Sequence, residues 1–339
     1  MKIGIKQISE ISGYSIATVS NVLNKKKGVS SQTADAILQI ARENGYLTEN
    51  IVKSIKLVIY KKHGLVVSDT PFFGALIEGV EGECRAQGYP LEICNLNSSS
   101  RSFDEILKEL LNDHTTAILL LATELEEEDL KLFDSTATPI MLLDNWFASM
   151  KYNATLINNI DSAFRAVSYL VEKGHRTIGY LKSSKRINNF SYRNVGYNQA
   201  LLNAGLSADP RYAVPLTPTM EGAYTDMDAY LRGKPELPTA YFADNDIIAF
   251  GVIKALKQHG HSVPDDVSIV GFDDMPFCEI SSPALTTIRV FKREMGALAV
   301  KNLLDLIRLQ SPVPTKIEVS TEFIERDSVK YIAACSEND

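Results

Sequence analysis

The chain has 339 residues, 45% of them hydrophobic and 23% charged, with a formal net charge of −7. That apolar content excludes a mostly disordered chain, and the length fits two or three domains. The longest apolar run, Ala117–Ala122, is far too short to span a bilayer, and Met1-Lys2-Ile3-Gly4 opens no apolar signal segment, so a cytoplasmic protein is expected.

The charge is uneven. Residues 1–56 hold eight Lys and Arg against four Asp and Glu, a net +4 that leaves −11 on the remainder. A basic head on an acidic body is the asymmetry of a protein that meets nucleic acid at one end. Cys84, Cys94, Cys278 and Cys335 show no CxxC spacing and no histidine at ligand distance. Free thiols are expected, with no metal site, no disulfide framework and no cofactor.

The head reads as three short helices. Ile5, Ile8 and Ile11 space the first, and Gly13 breaks it. Ser15 can cap a second, from Ile16 to about Leu23, with Val19, Val22 and Leu23 turned inward. A loop follows over Asn24–Gly28. Ser30 caps a third, in which Ala34, Ile37, Leu38 and Ala41 share one face, and Asn44-Gly45 ends it. Helix, glycine turn, helix is a helix-turn-helix arrangement, and Ile16, Ala17 and Thr18 would face a DNA groove.

Beyond the head, short apolar runs alternate with helical periods. Lys56–Tyr60, Gly64–Val67, Ala117–Leu121 and Ile140–Leu143 read as buried strands. Helices are expected over Phe73–Gln87, Phe103–Asn112, Ala163–Lys173, Val195–Ala204 and Ile247–His259. A repeating βα unit implies parallel sheets covered by helices, with ligands taken outside the carboxyl ends of the strands.

The run Ile5 to Asn24, with Gly28-Val29-Ser30 and Glu43-Asn44-Gly45-Tyr46 after it, resembles the N-terminal motif of the lac-repressor (LacI/GalR) family. The likeness continues through Glu172–Gly179, Val263–Asp273 and Pro283–Ile288. It implies a helix-turn-helix DNA-binding domain over 1–49, a hinge helix over 50–57, and an effector-binding α/β body over 58–332 with a tail after it. The body would be two periplasmic-binding-protein-like lobes, about 58–157 with 290–314 and about 158–289 with 315–332. Their crossovers would fall near Asn158, Arg289 and Thr315.

The resemblance also implies roles for residues. Lys6, Ser15, Ile16, Ala17, Thr18, Ser20, Asn21, Asn24, Ser30 and Tyr46 would meet DNA. Val52 and Ile55 would serve from the hinge, with Ile55 wedged into the minor groove. Asp144, Asn158, Arg193, Asn245 and Asp273 would stand at the effector pocket, with Asp69, Phe72 and Phe73 on its other wall and Trp146 flanking it. The chain departs from the family pattern in two places. Asn21 stands where relatives carry Arg, and Thr48 where they often carry Pro. Asn pairs with adenine as Arg pairs with guanine, so an A·T pair is expected opposite Asn21.

The function implied is repression of a carbohydrate-utilisation operon by a homodimer. It would bind a near-palindromic operator and respond to a sugar-like effector in the cleft between the lobes. A purine-like corepressor is the alternative. A free solute-binding protein fits less well, because of the basic head. An enzyme is not expected, since no GxGxxG, Walker, HExxH or GxSxG motif is present.

Overall fold

The computed structural model describes residues 3–23, 29–44, 46, 52–68, 70–113, 115–134, 136, 138–149, 151–309 and 313–333. The head holds α1 (Ile5–Ser12), α2 (Ile16–Leu23) and α3 (Ser31–Glu43). Gly13 ends α1 in the left-handed conformation, φ 72°, which only glycine adopts freely. Ser15 accepts from Thr18 N at 3.1 Å and Ser30 from Thr33 N at 3.2 Å, so each serine satisfies one of the free N–H groups at a helix start. Ile8, Val19, Val22, Ile37 and Ala41 bury one small core, while Ile11, expected inward, is 52% exposed.

Among its described residues the body has two parallel sheets and one antiparallel pair. The larger runs β11-β5-β4-β3-β1-β2, all parallel: β1 Ser54–Lys61, β2 Leu91–Asn97, β3 Thr116–Leu121, β4 Ile140–Leu143, β5 Asn153–Ile157 and β11 Lys316–Val319. Every residue of β3 and β4 is buried, as expected of a central parallel strand with both faces covered. The smaller runs β7-β6-β8-β9: β6 Ile178–Ser183, β7 Ala213–Leu216, β8 Ala240–Ala243 and β9 Ser268–Val270. An antiparallel pair, β10 (Thr287–Val290) and β12 (Thr321–Ile324), joins the second lobe. Among the described residues no helix is long and apolar enough to cross a membrane.

Three expectations fail here. The hinge helix over 50–57 is replaced, at its described end, by the start of β1. Ile55 is fully buried, pairs with Leu91 and Ala117, and donates its N–H to Pro90 O at 2.9 Å. Val52 lies in the same core, Lys53 N donates to Thr115 O at 2.7 Å, and Lys56 pairs with Glu92 at 3.2 Å. Exposing a buried aliphatic side chain costs about 1.5–3 kcal/mol before any strand hydrogen bond is broken. Neither Val52 nor Ile55 is therefore placed to enter a DNA groove. Asn50 and Ile51 lie outside the described residues.

Gly64–Val67 is not a strand. The buried carboxylate of Glu124 accepts from the backbone N–H of Lys62, His63, Gly64, Val66 and Val67, at 2.8–3.0 Å, and wraps that segment into a loop. Burial pushes the Glu124 carboxyl up, but these donors outweigh it and hold it below the ordinary range.

The third crossover also moves. The chain leaves the first lobe after β5, at Asn158. It returns at Phe291, since Val290 still pairs with Thr321 in β12 and the helix Lys292–Leu309 packs on the first-lobe helix Pro71–Ala86. The third crossover falls at Ser320 rather than near Thr315, because Lys316–Val319 pairs with β5 of the first lobe.

Candidate functional site

Strand ends of the two lobes face each other across a cavity, the concave place between lobes where small-molecule sites form. From the first lobe come Thr123 after β3, Asp144 after β4, and Phe72 and Phe73 at the start of the helix Pro71–Ala86. From the second come Asn245 after β8, Asp273 after β9, and Ile187, Asn189, Phe190 and Arg193 at and just before the start of the helix Asn188–Asn203. Phe72 and Phe73 meet edge to face, centroids 5.0 Å apart, giving an apolar wall.

The two pocket aspartates sit on strained backbone. Asp144 has φ 64° and Asp273 φ 118°, left-handed values that non-glycine residues rarely adopt. Asp144 Oδ2 accepts from Thr123 Oγ1 at 2.7 Å and Oδ1 from Asn189 Nδ2 at 3.0 Å. Burial pushes its carboxyl up to about 6, against the pull of Thr123 and Arg193. Asp273 is raised for the same first reason, with Arg193 and Lys292 opposing. Its Oδ1 is buried and has no hydrogen-bond partner; the nearest cation is Arg193 Nη2, at 3.5 Å.

Arg193 is itself 3% exposed. Its Nε donates to Asn159 Oδ1 at 2.9 Å, its Nη1 donates to Asp244 O, and its guanidinium lies 3.6 Å from the Phe272 ring centroid. The close seating of helices Asn159–Glu172 and Asn188–Asn203 makes this geometry. Gly196 allows it, because a Cβ there would stand 2.2 Å from Ile160 O. Asn159 Nδ2 in turn donates to Asn189 Oδ1 at 3.1 Å. A buried polar chain thus runs Thr123–Asp144–Asn189–Asn159–Arg193–Asp273 from lobe to lobe.

The structure brings Phe72, Phe73, Asp144, Arg193, Asn245 and Asp273 to one cavity. Asp69 lies outside the described residues. Asn158 is not in the lining: it caps the helix Asn159–Glu172 by accepting from Asp161 N, and its buried neighbour Asn159 faces Arg193 instead. Trp146 also stands outside the lining. It stacks on Tyr192, centroids 6.4 Å apart, with Lys316 Nζ 4.2 Å from its ring centroid. Sequence reasoning missed Thr123, Asn159, Asn189 and Phe190. The doublet Asn188-Asn189 at a helix start was the one available signal. Asp246 accepts from Thr287 Oγ1, Met275 N and Cys278 Sγ, and so shapes the loop beneath the cavity.

In the head, Lys6, Ser15, Ala17 and Ser30 are exposed, Ile16 is 52% exposed, and Thr18, Ser20, Asn21 and Tyr46 are half-buried. The start of α2 therefore offers a free face of small side chains. Asn24 lies outside the described residues. Among the described residues no group of three or more His, Cys, Asp or Glu could hold a metal ion.

Residues 4–49 match the family of bacterial regulatory proteins of lacI type, and residues 167–329 match the periplasmic binding protein-like domain. The chain is 31% identical over 335 residues to the HTH-type transcriptional repressor PurR of Pasteurella multocida (strain Pm70), covering 96% of this chain and 98% of the relative. It is 31% identical over 338 residues to PurR of Haemophilus influenzae (strain PittEE), covering 97% and 99%. In fold it is similar to the transcriptional regulator CelR in complex with cellobiose (TM-score 0.74, 24% identity, 96% of this chain and 100% of that one). It is likewise similar to the lac repressor dimer bound to operator (TM-score 0.68, 20% identity, 97% and 100%). The chain belongs to the LacI family of bacterial transcriptional regulators.

Proposed function

We propose that this protein is a repressor that binds a near-palindromic operator as a homodimer and changes its affinity when a small molecule enters the cleft. The observation that carries the ligand reading is Asp273 Oδ1, a buried acceptor without a donor, facing a cavity already furnished with Arg193, Asn245 and Asp144. An unsatisfied buried acceptor is costly, and a ligand hydroxyl or N–H would satisfy it. The site is read as one that binds without turnover. Asp144 is tied to Thr123 and Asn189, and Asp273 lies beside Arg193, rather than either being set against a nucleophile.

The polar array of carboxylates, amides and one guanidinium with aromatic walls suits a sugar. The purine-like alternative is favoured by the PurR repressors, which match this chain over nearly its full length. Its flat ring would lie against Phe72, Phe73 and Phe190 and turn its edge donors to Asp273. The homodimer draws on an apolar surface of the second lobe. Phe277 and Ile280 are 43% and 79% exposed, with Phe250 edge-on to Phe277. A repressor works beside the chromosome, so the cytoplasmic expectation is part of this reading.

A thermal-shift panel of sugars, sugar phosphates and purines tests the ligand class, followed by selection of operator sequences with and without each hit. A stabilising sugar, or a stabilising purine, that alters operator retention supports the corresponding reading. A protein that retains no DNA in the selection refutes the regulator reading.

A further inference from the structure

The first turn of the helix Asn188–Asn203 lies against the loop after β4, so it spans the two lobes. Asn188 Nδ2 donates to Asn145 Oδ1 at 2.9 Å and to Trp146 O at 3.2 Å. Asn189 Nδ2 donates to both the carbonyl and Oδ1 of Asp144, each at 3.0 Å. The receiving loop is itself pinned. Asn145 is fully buried and donates to Ala122 O at 2.8 Å and Leu125 O at 3.0 Å. One turn further along, Tyr192 stacks on Trp146.

Every one of these contacts is between protein groups, and the donors are neutral amides. Buried hydrogen bonds of this kind hold two surfaces together because each donor, once parted from its acceptor, must be resolvated. Asn189 has a second role through its other atom. Its Oδ1 accepts from Asn159, whose Oδ1 accepts from Arg193, so one side chain sets the separation of Asp144 and Arg193.

We propose that Asn188 and Asn189 form a latch that holds the two lobes in the closed arrangement, and that Asn189 is the positioning residue for Asp144 and Arg193. The latch rests on the cleft reading above only for its consequence. A small molecule then adds its own bias to the one the latch sets, and its effect is limited to its differential affinity for the two arrangements.

The test needs no ligand. Trp146 is the only tryptophan in the chain, and it sits in the latch. In the full-length protein with no small molecule added, Asn188→Ala, Asn189→Ala and the double variant are compared by emission maximum and acrylamide quenching. Small-angle scattering gives the radius of gyration. Each single variant is expected to lower the closed-to-open ratio about tenfold. Emission moves to longer wavelength, quenching rises and the radius grows, most in the double variant. If Asn189→Ala fails to fold, Asn188→Ala on the half-buried partner is read alone and is expected to shift in the same direction. Wild-type emission, quenching and radius in a folded Asn188→Ala variant would overturn the latch.

Discussion

Arg193 and Asp273 meet at 3.5 Å inside the cleft, close enough to attract and too far to share a hydrogen bond. The guanidinium gives its Nε to Asn159, an Nη1 hydrogen to Asp244 O and its face to Phe272. The aspartate oxygen is thereby held charged-side inward with nothing to accept, which is the condition of a group kept for something else.

Asp273→Asn should leave the fold in place, since Asn tolerates positive φ. It should weaken the ligand found by the thermal-shift panel by about 1.5–3 kcal/mol, the range for a hydrogen bond to a charged group. Isothermal titration checks this. An unchanged affinity would remove Asp273 from the ligand contacts.

Asp144 gives a pH dependence of stability. Burial foremost pushes its carboxyl up to about 6 from an ordinary value near 4, so between those pH values the folded state holds a proton that the unfolded state has released. Its contribution is therefore full below about pH 4 and is lost as pH rises through about 6, with a ceiling of about 3 kcal/mol. Urea unfolding at a series of pH values should show that fall in wild type. A smaller fall is expected in Asp144→Asn, and identical profiles would refute the assignment.

Ile55→Ala separates two jobs for one residue. A core isoleucine cut to alanine costs about 2–5 kcal/mol. The loss should appear in unfolding of the body. The selected operator sequence should not change, because Ile55 sits in β1 between β2 and β3 with its side chain buried in the core of the body rather than in a groove. A change in the central operator bases with undiminished stability would restore the wedge.

Asn21 stands half-buried on the last turn of α2. An A·T pair is expected opposite it, and Asn21→Arg should move selection there to G·C, with about 1–3 kcal/mol of discrimination. Retention of G·C in both proteins would count against the contact.

Ile280→Asp places a charge on the exposed apolar surface of the second lobe. If that surface joins two copies, dimer affinity should drop by roughly 30-fold or more, as for a central interface residue. Sedimentation at a series of concentrations reads this directly, and an unaltered dimer would place the interface elsewhere.

Much of the architecture could be read in the chain because its signals are local. Ser15 and Ser30 announce helix starts, Gly13 a turn, and the all-apolar run of β3 a central parallel strand. The failures come from partners far away in sequence. Gly64–Val67 has the composition of a strand, but Glu124, about sixty residues on, claims its N–H groups. Ile55 suits a hinge by motif and a strand by its branched side chain, and pairing with Leu91 and Ala117 decides it. Asn158 and Asn159 are alike in sequence. Which one meets Arg193 depends on the rotation of a helix about its axis, and no periodicity in a polar doublet records that. Trp146 stands beyond a strand end, and its ring turns to Tyr192 on the other lobe.

The capture of Val52 and Lys53 by the body sets a length. Six Cα steps separate Val52 from Tyr46, the last described residue of the head, and at no more than about 3.6 Å each they reach roughly 22 Å. Each head is therefore held within that reach of its anchor, Val52, two residues before β1. In a dimer the distance between the two anchors, plus twice that reach, caps the separation of the half-sites. A ligand that moves the anchors apart or together is thus expected to select among operators by their spacing.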